Sequence, residues 1–144
     1  MLISYVRHLF FKSQIKMKNI LLIDEDTFFI SSIGYFLENE GYNITACSNG
    51  QSGIDMLSKE RIDLVICSTQ LRIKNGFEVA EFIKSNYEYA TIPVILISPS
   101  NSIVSIKMED EIFYDEYIQK PVMFINLLEK VHNLLSKKLQ PLGQ

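Results

Sequence analysis

The chain has 144 residues, 47% of them hydrophobic and 22% charged, enough to bury one sizeable core. Its net charge is -3 and no Lys/Arg run exceeds Lys137-Lys138, so the basic patch or stripe that nucleic-acid binding needs is lacking. Cys47 and Cys67 stand in apolar, strand-like stretches and read as small buried hydrophobes in a reducing, cytoplasmic compartment.

Residues 1–16 (MLISYVRHLFFKSQIK) are apolar but interrupted by Arg7, His8 and Lys12, short of the ~20 apolar residues of a spanning helix. They also lack a charged start and a small-residue cleavage site. Three readings stay open: an upstream start ahead of Met17, an added helix packing on the domain or a partner, and a helix on a membrane surface. From Met17 onward, strand and helix signals alternate. Asn19 to Ile23 is an apolar run too short for a helix, and Phe29, Ile33, Phe36 and Leu37 then recur with helical spacing. Gly41 suits a helix C-terminus, with a strand from Tyr42 to Cys47. Ser48-Asn49-Gly50 turns into a helix over 51–59, and Leu64 to Cys67 makes a third strand. Gly76 opens a helix whose apolar side carries Phe77, Ala80 and Ile83. Pro93 to Ile97 is a continuous apolar run, as in a strand buried on both faces. A helix over 102–111, a short strand from Tyr117 to Gln119 and a final helix opened by Pro121 complete the series; positions 124, 127, 128, 131, 134 and 135 form its apolar stripe.

Five strands alternating with five helices predict an α/β fold, a doubly wound parallel sheet covered on both faces. The residues with chemical potential fall where strands end: Asp24-Glu25-Asp26, Ser68, Ser98, and Tyr117 with Lys120-Pro121. Each has an ordinary reading as well. An acidic cluster at a helix start is favoured by ~0.3 to 1 kcal/mol without any ligand, and a lysine or tyrosine near a strand end can simply face water. Ser68 and Lys120 also admit a nucleophile and base pair, although no glycine-rich oxyanion loop flanks the serine. His8 and His132 are isolated and read as surface histidines.

Taken together and in this order, Asp24-Glu25, the stretch Asp63 to Leu71, Asn75-Gly76, Ser98 and Tyr117 with Lys120-Pro121 resemble a response-regulator receiver domain, over roughly residues 17–139, with 140–144 as a tail. The resemblance implies a flavodoxin-like strand order, 2-1-3-4-5. It implies that Asp24 and Glu25 hold a divalent metal, usually Mg²⁺, that Lys120 contacts phosphate, and that Ser98 and Tyr117 form the switch. At position 68 the family carries the aspartate that accepts the phosphoryl group, and here it is Ser68. Arg72 stands where the family commonly has proline, and Phe113 to Glu116 lacks the usual small residues. A serine hydroxyl is a poor nucleophile without an activating base. The expectation is therefore a degenerate single-domain receiver, too short for a separate output domain, not an enzyme, and with Mg²⁺ binding weak or lost. It would act as a phosphorylation-independent interaction module through its last two helices and last strand. Partners implied are a histidine kinase, another response regulator or an output protein, with a homodimer left open and no nucleic acid or membrane. The alternatives are regulation by phosphoryl chemistry at Ser68 or at a substitute carboxylate, and a serine-lysine enzyme.

Overall fold

The computed structural model describes residues 4–6, 18–100 and 113–139. Five parallel strands, β1 (Asn19–Ile23), β2 (Asn43–Cys47), β3 (Leu64–Ser68), β4 (Val94–Ser98) and β5 (Glu116–Gln119), form one sheet in the order β2-β1-β3-β4-β5. This is the flavodoxin-like order. Four helices are described, α1 (Thr27–Asn39), α2 (Gly50–Lys59), α3 (Gly76–Ser85) and α4 (Phe124–Leu139). The helix expected over 102–111 lies outside the described residues, as does His8. Of the leader, residues 4–6 are helical, with Tyr5 and Val6 exposed.

Alternation along the strands sorts the core into two layers, because successive side chains in a strand point to opposite faces. Ile20, Leu22, Leu64, Ile66, Ile95 and Ile97 pack under α1 and α4 with Ile33, Leu37, Leu127 and Val131. Leu21, Ile23, Val65, Cys67, Val94 and Leu96 pack under α2 and α3 with Ile54, Leu57, Val79 and Ile83. β3 and β4 are buried at every residue, which is why they read as uninterrupted apolar runs. Leu22 is 1% exposed, and Leu22→Ala should cost about 2–5 kcal/mol, the range for emptying a packed leucine site. Urea denaturation should show it as a lower midpoint at unchanged slope.

Local signals account for the helix ends. The Asp26 carboxylate caps α1 by accepting from the Phe29 amide (3.1 Å). At its other end Gly41, at φ 102°, donates to Glu38 and Tyr42 donates to Leu37, the paired bonds of a Schellman motif. Tyr42 therefore belongs to this turn, not to β2, and its ring is buried in the core, where burial raises its phenol above the usual range. Asn75 and Glu78 close a capping box on α3.

Three further expectations need correction. Phe77 is 40% exposed, because the inward stripe of α3 is Gly76, Val79, Ala80 and Ile83, the i, i+3, i+4, i+7 set that leaves position 77 at its edge. The last helix starts at Phe124 instead of Pro121. Lys120 still donates its amide to Ser98 in strand register, and the first helical bond runs from the Leu127 amide to the Met123 carbonyl, so residues 121–123 carry the reversal from sheet to helix. His132 is half-buried, its ring 6.1 Å from that of Tyr42, since it flanks the buried positions Val131 and Leu135.

Candidate functional site

At the carboxyl ends of the strands lies a cleft of about 540 Å³ whose walls include Asp24, Glu25, Asp26, Ser68, Arg72 and Lys120. Residues far apart in the chain converge there because β1, β3 and β5 run parallel and end on one side. In open sheets of this kind that edge is where ligands sit.

Ser68 ends β3 and is 4% exposed. Its Oγ accepts from the Gln70 amide (3.3 Å) and donates to the Gln70 carbonyl (3.2 Å). The hydroxyl thus folds back on its own loop, as serine commonly does at turns. Asp24 follows β1 and is 5% exposed. One of its oxygens accepts from the Asp26 amide (2.8 Å); the other lies 3.2 Å from the Lys120 ammonium. Lys120 also stands 3.7 Å from Asp26 Oδ2 and 4.1 Å from the centroid of the Phe29 ring, a cation–π contact. Lys120 is thereby held by two carboxylates and an aromatic face. The Lys120–Pro121 peptide is cis.

Glu25 turns the other way. Its Oε1 accepts from the backbone amide of Arg72, and the Arg72 Nε lies 3.6 Å from the same oxygen, with the arginine side chain 87% exposed. The loop carrying Arg72 is tightly held. Gln51 at the start of α2 donates to the Ile73 carbonyl (3.0 Å), satisfying one of the amides a helix start leaves open. Ile73 and Lys74 both have left-handed φ, 48° and 71°. For a β-branched residue such a φ is an outlier, costing of order 1–3 kcal/mol. The contacts to Glu25 and to α2 hold the loop in that shape.

Ser98 and Tyr117 lie on the same face of the sheet, two residues apart in the β4–β5 register (Leu96↔Tyr117, Ser98↔Gln119). Ser98 is 1% exposed. Its hydroxyl and that of Tyr117 are buried with no hydrogen-bond partner among the described residues, a situation that costs about 1–3 kcal/mol per group. The Tyr117 ring rests 5.8 Å from that of Tyr114, so this tyrosine is not simply exposed on the edge strand. Nearby, Asp115 accepts from the Val94 amide (2.7 Å) and pairs with Lys84 (2.8 Å), which fixes the approach to β5.

Both cysteines are free. Cys67 is buried; Cys47, on the edge strand β2, is only partly covered. Burial is the main cause holding both thiols above the usual range, with Asp24 adding to it at Cys67 and Glu60 at Cys47.

A Mg²⁺ ion needs near-octahedral oxygen coordination. Asp24 and Glu25 both reach the cleft, but Asp24 Oδ1 and Glu25 Oε1 are taken by the Asp26 and Arg72 amides, and Asp24 Oδ2 lies 3.2 Å from the Lys120 ammonium, an ion pair without hydrogen-bond geometry. Among the described residues no group of three or more His, Cys, Asp or Glu is placed to hold a metal. As arranged, these donors do not fit the ion. Sequence reasoning singled out Asp24, Glu25, Ser68 and Lys120, which the fold brings together, and Ser98 and Tyr117, which sit one layer behind. It read Asp26 only as part of an acidic cluster at a helix start and Phe29 only as a helix-face residue, and assigned no role to the Arg72 amide. The last had a signal, because proline at that position would have no N–H to give.

The fold and the cleft define a signalling receiver. The chain belongs to the response regulator receiver domain family, whose model matches residues 20–132, and this domain works in two-component signalling. Among curated proteins it is similar to the transcriptional regulatory protein CpxR of Escherichia coli K12, 26% identical over 121 residues that cover 84% of this chain and 50% of that one. The chain thus spans about half the length of such relatives. Among solved structures it resembles a CheY-like receiver domain protein from Methanospirillum hungatei JF-1, at 26% identity and TM-score 0.74, covering 86% of this chain and 98% of that one. It also resembles the receiver domain of a signal transduction histidine kinase from Syntrophus aciditrophicus, at 26% identity and TM-score 0.73, with 88% and 97% covered. No helix among the described residues is long and apolar enough to cross a membrane.

Proposed function

We propose that this receiver acts as a phosphorylation-independent protein-interaction module in two-component signalling. The observation that carries the reading is the state of position 68. A serine stands where the family has its acceptor aspartate, and its hydroxyl is 4% exposed and closed on Gln70. Among the described residues its hydroxyl bonds only Gln70, and an unactivated hydroxyl does not attack phosphohistidine at a useful rate. A phosphoserine formed there would be a stable ester, unsuited to a switch that must reset.

A serine-lysine enzyme finds no support in the geometry, since Lys120 is engaged by Asp24 and Asp26 and not by Ser68. Asp24 and Glu25 keep the inherited metal position, but their protein partners make Mg²⁺ binding weak. Lys120 keeps the phosphate-contact position and Ser98 with Tyr117 the switch positions, without an input. The effect is delivered by contact, in the cytoplasm, with a histidine kinase, another response regulator or an output protein. β5 and α4 provide part of the surface; the rest of the expected surface falls on residues outside those described. Incubation with acetyl phosphate and Mg²⁺ followed by intact mass tests the reading. The expected result is an unchanged mass, and a phosphoryl adduct on the wild-type chain would sink it.

A further inference from the structure

The partners of the acid pair are themselves informative. Asp24 is 5% exposed, and a carboxylate so placed is costly unless something neutralises it. Here Lys120, with a side chain only 21% exposed, stands 3.2 Å from it and 3.7 Å from Asp26. Glu25 is met by the Arg72 amide, a charge-assisted bond. The Arg72 guanidinium adds little, being 87% exposed at 3.6 Å and screened by solvent.

We propose that Lys120 and the backbone amide of Arg72 are built-in counter-groups that occupy the acid pair in place of a divalent cation, leaving its carboxylates partnered at rest without metal. The idea deepens the phosphorylation-independent reading and rests on its assignment of Asp24 and Glu25 as the inherited metal position. It explains two features at once. The exchange of the family's proline for Arg72 supplies an N–H that proline lacks, and that N–H is the one Glu25 accepts. The loop that presents it runs through two left-handed residues, Ile73 and Lys74, and is tied to the start of α2 by the Gln51 amide. The amide is therefore held at Glu25 by a preformed loop and does not have to be recruited.

A titration of the full chain with magnesium chloride, followed by amide NMR, separates the possibilities. Wild type should show no saturation at low millimolar metal. Arg72→Pro, which removes the N–H, should gain affinity by about tenfold or more, centred on Asp24 and Glu25, because losing a counter-group frees a carboxylate for the ion. Arg72→Ala keeps the N–H and should stay near wild type. Lys120→Gln should gain affinity as Arg72→Pro does, and it decides the matter if the proline variant fails to fold. Saturation of wild type at low millimolar metal would overturn the proposal, as would folded Arg72→Pro and Lys120→Gln proteins as indifferent to magnesium as wild type. Every variant retains Ser68, so these outcomes are independent of the acetyl phosphate result.

Discussion

Gly76→Ala should strongly destabilise this domain. A Cβ at position 76 would lie 2.1 Å from the Ser68 carbonyl oxygen, 2.8 Å from its carbon and 2.9 Å from the Thr69 Cα. All three are backbone atoms at the end of a fully buried strand, so no side chain can swing aside. Either α3 must retreat from β3 or the loop after Ser68 must rearrange, and with it the Gly76 amide bond to Thr69 (3.2 Å). Overpacking costs about 1–3 kcal/mol and occasionally more, and for a domain of this size the upper end lowers the thermal midpoint by about 10 °C. Gly50→Ala should behave alike, its Cβ meeting the Lys74 carbonyl oxygen at 2.0 Å. Gly34→Ala is the contrast, because its Cβ meets only side-chain carbons at 3.7 and 3.8 Å, and alanine is the better helix former by about 0.5–1 kcal/mol. Thermal denaturation followed by circular dichroism should rank Gly34→Ala at or above wild type and the other two well below. A Gly76→Ala protein melting with wild type would mean that α3 and β3 are less tightly apposed than described.

The fold was legible because its signals are local and mutually consistent. The run from Pro93 to Ile97 needs no partner to be read as a doubly buried strand, and the alternation of short apolar runs with helical spacing then implies the sheet. Strand ends shifted by a residue, as at Tyr42, where the Schellman turn and not hydrophobicity decides where the strand begins. Phe77 and Pro121 misled for a related reason. Each is compatible with a helical pattern alone, but the inward direction of α3 and the first bond of α4 depend on where the neighbouring strands end. The candidate site was legible only through resemblance to a family, since nothing in composition or spacing links Asp24, Ser68 and Lys120. The contact between Glu25 and the Arg72 amide left only the absence of proline as a signal. Glu25 and Arg72 are 47 positions apart, and their bond depends on the left-handed Ile73-Lys74 pair, two residue types that carry no turn signal.

Beryllofluoride should leave the amide NMR spectrum of the wild-type protein unchanged and should shift that of Ser68→Asp, with changes reaching Ser98 and Tyr117. A ligand moves a two-state equilibrium only by its differential affinity for the two states, and a full swing from 1:99 to 99:1 takes about 5.5 kcal/mol of difference. This phosphoryl mimic needs a carboxylate to ligate it. Wild type offers at position 68 only a hydroxyl bonded to Gln70, so the mimic has no hold and no state is favoured. The receiving end, by contrast, is intact in form: two buried hydroxyls, on Ser98 and Tyr117, lack hydrogen-bond partners among the described residues, and either would gain by meeting an anion or a neighbour. Lys120 must also leave Asp24 to engage the new group, so part of the energy goes into breaking that pair and the response of Ser68→Asp should be partial. An inert Ser68→Asp would mean that loss of the input extends beyond position 68, with the counter-groups at Asp24 and Glu25 as the next place to look. Shifts in wild type that reach Tyr117 would instead require a working input, and the phosphorylation-independent reading would have to be withdrawn.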